Sequence, residues 1–146
     1  MRHRIHAHLL LALSLMFLIR IAGQAVQRWM PQSFLPPFDV FQGSSLPYEL
    51  LLLIQIIILF WMLRMTWKVS RDEFIRNERT GRILAWVGGI YMAGSVARIL
   101  IGIFFTDADT WFKAEIPAFF HLVLAGFLII LAKCHLNPSR PEERKA

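Results

Sequence analysis

The chain has 146 residues, 56% of them hydrophobic, and a mean hydropathy of +0.50. An ordinary soluble domain is nearer half apolar even with glycine counted, so this composition excludes one and implies a membrane protein. The formal charge of +6 would suggest nucleic acid in a soluble protein, but no aromatic or glycine-rich nucleic-acid motif accompanies it, and the basic residues sort by connection instead.

Four apolar runs, at 5–26, 47–67, 83–105 and 116–132, each approach the ~20 residues that cross a ~30 Å hydrocarbon core. Backbone polar groups in lipid must be satisfied within the segment, so each run predicts a helix. Trp29, Tyr48, Trp67, Trp86 and Trp111 fall near the predicted ends, where an aromatic belt lies. The expectation is a single all-α domain over 1–146, an integral membrane four-helix bundle.

The first run follows Arg2 and Arg4 and ends near Gly23-Gln24-Ala25, which also passes as a secretory cleavage site; it is expected to be retained as a helix. The connection after it, WMPQSFLPPFDVFQGSSLPY, is nearly uncharged and rich in proline and aromatics. Pro36-Pro37 and Gly43 prevent regular helix there. So long an apolar loop is expected to lie on the membrane surface or fold back over the bundle.

The second run is apolar around its circumference except at Gln55, which reads as a lipid-facing or partner-facing helix. In the third, Ala85, Gly89, Ala93 and Ala97 recur at every fourth position, and Gly94 and Gly102 flank Arg98 at the same spacing. Small residues so spaced let helices approach closely, which predicts that the third helix is the centre of the bundle. The fourth carries Ala114, Ala118, His121, Ala125, Leu128 and Ala132 in a heptad-like seam that turns His121 toward protein.

Arg2 and Arg4 precede the first helix. Arg64, Lys68, Arg71, Arg76, Arg79 and Arg82 surround the second connection, and Lys133, Arg140, Arg144 and Lys145 follow the fourth helix. The other two connections hold only Arg28 and Lys113, so the positive-inside rule puts both termini in the cytoplasm, with the long loop between helices 1 and 2 outside. A bacterial inner or cytoplasmic membrane is the expected location. Anionic lipid is the expected contact of the mixed-charge segment KVSRDEFIRNERTGR. Cys134 is the only cysteine, so an intrachain disulfide is impossible.

At about 1.5 Å per residue, Arg20 and Arg98 lie roughly 9 to 11 Å below the outer surface, His121 about 8 Å and Gln55 about 12 Å. Gln24 and Gln27 continue the Arg20 face. Each arginine costs about 2.5 to 3.5 kcal/mol on insertion scales unless it is paired or snorkels, so something anionic should meet them. Glu49 and Glu115 are the internal ion-pair candidates. A lipid phosphate, a haem propionate or an acidic substrate would also suit the guanidinium fork. Internal pairing that fixes helix register and recognition of a ligand both stay open.

His121 reads first as a core histidine bonded to Gln55 or Tyr91, and alternatively as an axial ligand of haem or a chlorophyll-type pigment. His3, His6, His8 and His135 all lie toward the other end, so a bis-histidine haem has no second ligand; an inner pair of His8 and His135 is the alternative.

No HExxH, GxSxG, phosphate loop, metal-ligand cluster or paired intramembrane carboxylates occur, and the helices are not broken at midplane, so no catalytic residue or metal is assigned. The preferred reading is a non-catalytic accessory subunit that docks laterally on the helices of a larger membrane complex, with membrane lipids and other integral subunits as partners and no nucleic acid. The competing reading is a protein that stands alone and binds a quinone, haem, pigment or lipid in an outer-half pocket lined by Arg20, Gln24, Gln55, Arg98 and His121. A small transporter or channel ranks third.

Overall fold

The computed structural model describes residues 2–38, 46–71, 73–104 and 115–136, with the side chains of residues 2, 3, 115 and 116 excepted. Within them lie four helices: α1 (Arg2–Trp29), α2 (Tyr48–Ser70), α3 (Glu78–Phe104) and α4 (Glu115–Leu136). All four are long and apolar enough to cross a membrane, so the chain is all-helical and multi-pass.

Each helix passes the end of its apolar run, because hydropathy marks the hydrocarbon whereas caps mark the helix. α3 begins at Glu78 rather than 83, since Asn77 Oδ1 accepts a hydrogen bond from the Thr80 amide at 3.1 Å and so satisfies a donor of the first turn. α2 begins after Pro47, whose φ of −53° and ψ of 137° stand outside the helical region. It ends where the Ser70 hydroxyl and the Arg71 amide both donate to the Trp67 carbonyl, at 2.8 and 3.1 Å.

α1 packs against α2 and α4, and α3 packs against α4. The core joins Ala7, Leu10, Phe17 and Ile21 of α1, Met62 and Val69 of α2, and Val123, Phe127, Leu131 and Cys134 of α4. Phe127, Leu10, Met62 and Leu131 are its largest fully buried side chains. Buried residues of α2 fall on a narrow stripe, Tyr48, Gln55, Met62, Thr66 and Val69, while Ile57 and Phe60 face outward at 60% and 67% exposure. Apolar side chains outside and a packed stripe inside are what a lipid solvent requires. The buried hydroxyls of Ser14 and Thr66, and that of Ser95, donate to the carbonyls of Leu10, Met62 and Tyr91 four residues earlier, which satisfies them without a second helix.

The expectation for α3 is overturned: it is not the centre of the bundle and supplies none of the buried apolar core. Its packed face is Gly81, Gly88, Ser95 and Arg98, not Ala85, Gly89, Ala93 and Ala97. A Cβ at Gly88 would stand 2.9 Å from Ile129 Cγ1, 3.2 Å from Leu128 Cβ and 3.3 Å from the Ala125 carbonyl oxygen; one at Gly81 would stand 2.8 Å from His135 Cβ. Gly89 and Gly94 have nothing within 4 Å, and Ala93 and Ala97 are exposed. Small residues bring two backbones together but offer no bulk to fill space among several helices, so they make a pairwise seam at the edge while phenylalanine and leucine take the middle.

On α4 the expected seam is present at Ala118, Ala125 and Ala132, all at most 1% exposed, with His121 and Leu128 half-buried; Ala114 lies outside the described residues. In the described part of the long connection, contacts gather around Tyr48. Phe38 meets the Tyr48 ring edge-on at 5.3 Å, Trp29 meets it from α1 at 5.7 Å, and the Arg28 guanidinium sits 5.6 Å above the Phe38 ring. Residues 39–45 lie outside the described part.

Candidate functional site

Four polar side chains expected in the outer half are buried: Gln24 is 0% exposed, Gln55 5%, Arg20 7% and Arg98 8%. Three of them share one acceptor. Gln24 Oε1 receives Arg20 Nη1 from a turn earlier in α1 and Gln55 Nε2 from α2, both at 3.3 Å. The i, i+4 spacing stacks Arg20 under Gln24 on one face of α1, and the antiparallel pairing of α1 with α2 brings Gln55 level with it.

This sharing dictates what is left over. With its oxygen held by two donors, the Gln24 amide cannot turn over without losing both bonds, so its NH₂ points away; Gln55, donating through Nε2, keeps its carbonyl oxygen. Among the described residues, Gln24 Nε2, Gln55 Oε1 and the Tyr48 hydroxyl have no hydrogen-bond partner. Each such group, if unsatisfied when buried, costs about 1–3 kcal/mol. The cluster thus offers a spare donor, a spare acceptor and a phenol beside a guanidinium.

Arg20 is held from the other side by Phe120 of α4, whose ring centroid lies 5.5 Å from the guanidinium carbon. His121 follows Phe120. It lies within electrostatic reach of both Arg98 and Arg20, and its ring bonds to the backbone of Pro117, one turn back in α4. Arg98 reaches this level through the α3–α4 register, in which Gly81 opposes Leu136 and Gly88 opposes Ala125. α1, α2, α3 and α4 all contribute to the polar centre.

Of the two partners considered for His121, Tyr91 touches it and Gln55 is bonded elsewhere through its amide nitrogen. Gln55 bonds Gln24, and Tyr91 meets His121 ring to ring, with centroids 5.4 Å apart and tilted by 52°. Glu49 is exposed in the first turn of α2, and the Glu115 side chain lies outside the described residues. An exposed Arg82–Glu78 ion pair stands at 3.9 Å on α3 and contributes little. His135 Nδ1 accepts the Asn77 amide at 3.1 Å and its ring lies 4.3 Å from Phe74, while His8 lines a groove between α1 and α2. No group of three or more histidine, cysteine or acidic residues among the described residues could hold a metal ion.

Reading the residues one at a time missed Tyr48 and Phe120, which seem mere belt and core aromatics until the helices meet. Tyr48, Gln55 and Met62 do carry a signal, a seven-residue spacing that puts the phenol on the buried stripe. No family model matches the chain, nor does any curated protein or solved structure.

Proposed function

We propose that the protein is a non-catalytic subunit of a larger membrane assembly and docks on partner helices through the outer face of α3. The observation that carries this reading is the second small-residue face of that helix. Gly89, Ala93 and Ala97 lie away from α4, with Ala85 half-buried at the start of the stripe; Gly89 has open space where a Cβ would be, and Ala93 and Ala97 are exposed. Lipid chains gain nothing special from a stripe of small residues, whereas a helix does, because backbones can then approach closely. α3 also lies outside the core, so that face is free for a neighbour. The asymmetric distribution of basic residues favours cytoplasmic termini in a bacterial inner membrane.

The test is native mass spectrometry, with an absorption spectrum, on protein extracted gently from its own membrane. A mass above 17.0 kDa that contains other polypeptides, reduced to the free chain by Gly89→Leu with helicity unchanged, is the expected result. An isolated chain carrying one pigment, quinone or lipid whose occupancy falls with Arg98→Ala overturns it.

The unpartnered Gln24 Nε2, Gln55 Oε1 and Tyr48 hydroxyl favour a second reading, a polar-headed lipophilic ligand held among Arg20, Gln24, Gln55, Arg98 and His121. A quinone carbonyl would accept from the Gln24 amide, and a hydroxyl would donate to Gln55. Arg98→Ala separates the readings: it lowers ligand occupancy in the second and mainly weakens assembly in the first.

A further inference from the structure

At the opposite end of α1 and α2 from the polar centre, a cavity of about 680 Å³ opens between the two helices. Its lining changes character along the helix axis. Arg4 and Ser70 stand at the end nearest the chain start, His8 and Trp67 about one turn further in, and Leu11 and Leu63 a further turn along. Arg4 and Leu11 are separated by about 10 Å along α1. Because α1 and α2 are antiparallel, both walls pass from polar to apolar in the same direction, toward the middle of the span.

The polar end is cationic. Arg4 lines it directly, and Trp67, part of the wall, carries the Arg71 guanidinium 4.3 Å over its ring. The stacking ties Arg71 to the Trp67 ring, one residue beyond Ser70 of the wall. The Ser70 and Thr66 hydroxyl protons are committed to the carbonyls of Trp67 and Met62, which leaves the guanidiniums as the charged donors for an anion, beside the ring N–H groups of His8 and Trp67.

We propose that this groove binds one anionic phospholipid, its phosphate between Arg4 and Arg71 and one acyl chain over Leu11 and Leu63. A free phosphate would use the rim alone and leave the apolar floor unfilled; an amphiphile matches both ends. The polarity gradient also follows a lipid's own, with the headgroup at the membrane surface and the chain directed inward. The site is distinct from the outer polar centre and from the exposed face of α3.

The experiment uses the full chain in phosphatidylcholine nanodiscs with increasing phosphatidylglycerol, and counts retained lipids by native mass spectrometry after release. One phosphatidylglycerol retained in preference to phosphatidylcholine is expected. Arg4→Gln and Arg71→Gln each lower that preference about fivefold, as removal of one basic residue near an anionic surface should. Leu11→Trp, which fills the groove from an exposed wall position without removing charge, abolishes retention of the lipid; a circular dichroism spectrum like that of the parent shows that the fold survives. Equal retention of the two lipids, or a preference unmoved by both arginine substitutions, overturns the proposal. Displacement of the lipid by millimolar inorganic phosphate, or retention surviving Leu11→Trp, also overturns it, by reducing the site to a surface anion contact.

Discussion

Gly88 and Gly89 are neighbours in sequence with opposite surroundings, so the same substitution at each tests which face of α3 is packed. A methyl at Gly88 would stand 2.9 Å from Ile129 Cγ1, 3.2 Å from Leu128 Cβ and 3.3 Å from the Ala125 carbonyl oxygen. The first of these atoms can rotate away. The other two are fixed to the α4 backbone, so α3 itself must move outward by a few tenths of an ångström and loosen the seam on either side. Overpacking of this kind costs about 1–3 kcal/mol, against which the better helix propensity of alanine returns up to about 1 kcal/mol. With the full propensity gain, the net loss for Gly88→Ala is up to about 2 kcal/mol, a factor of up to roughly 30 in the folded fraction. Gly89→Ala meets nothing within 4 Å, keeps the propensity gain and should be neutral or stabilising by less than about 1 kcal/mol. Reversible unfolding in mixed micelles, with dodecyl sulfate as the denaturant and circular dichroism as the probe, measures both. Equal effects, or a larger loss at Gly89, would refute the α3–α4 seam and with it the claim that the Gly89 face is vacant.

Gln24→Leu should destabilise more than Gln55→Leu in the same assay, by about 1–2 kcal/mol, because it strips the shared acceptor from both Arg20 and Gln55, whereas the second removes one bond and one unpartnered oxygen together. The reverse order would show that Gln24 is not the hub. Phe127→Ala should cost about 3–5 kcal/mol, since the side chain is fully buried between helices and meets Trp61 at 5.7 Å; a loss under about 1 kcal/mol would contradict a core centred on α4. Cys134, 3% exposed, should resist maleimide in the folded protein and react once dodecyl sulfate unfolds it, as followed by mass; rapid labelling of the folded chain would show that α4 is not packed there.

Membrane character, the number of spans and the inward direction of Arg20, Gln24, Gln55 and Arg98 were legible without tertiary structure, because each depends on what one residue or one segment gains on leaving water. A 20-residue apolar segment becomes a helix whatever its neighbours, and a guanidinium or amide in that segment turns from lipid whatever it meets. The Ala118, Ala125 and Ala132 seam was legible for a related reason, since the repeat lies within one helix.

What the tertiary structure decided is pairwise. α3 has two small-residue faces, and spacing alone does not say which one a partner occupies; the register with α4 chose Gly81 and Gly88 because those positions oppose Leu136, Leu128 and Ala125. The same holds for the polar centre. Gln24 became the shared acceptor only when α2 brought Gln55 to the level of Arg20, and the Tyr48 hydroxyl joined the buried groups only when Trp29 and Phe38 closed over its ring. The groove at Arg4 and Trp67 exists in neither helix alone, since a cavity belongs to the space between two surfaces and no single segment encodes it.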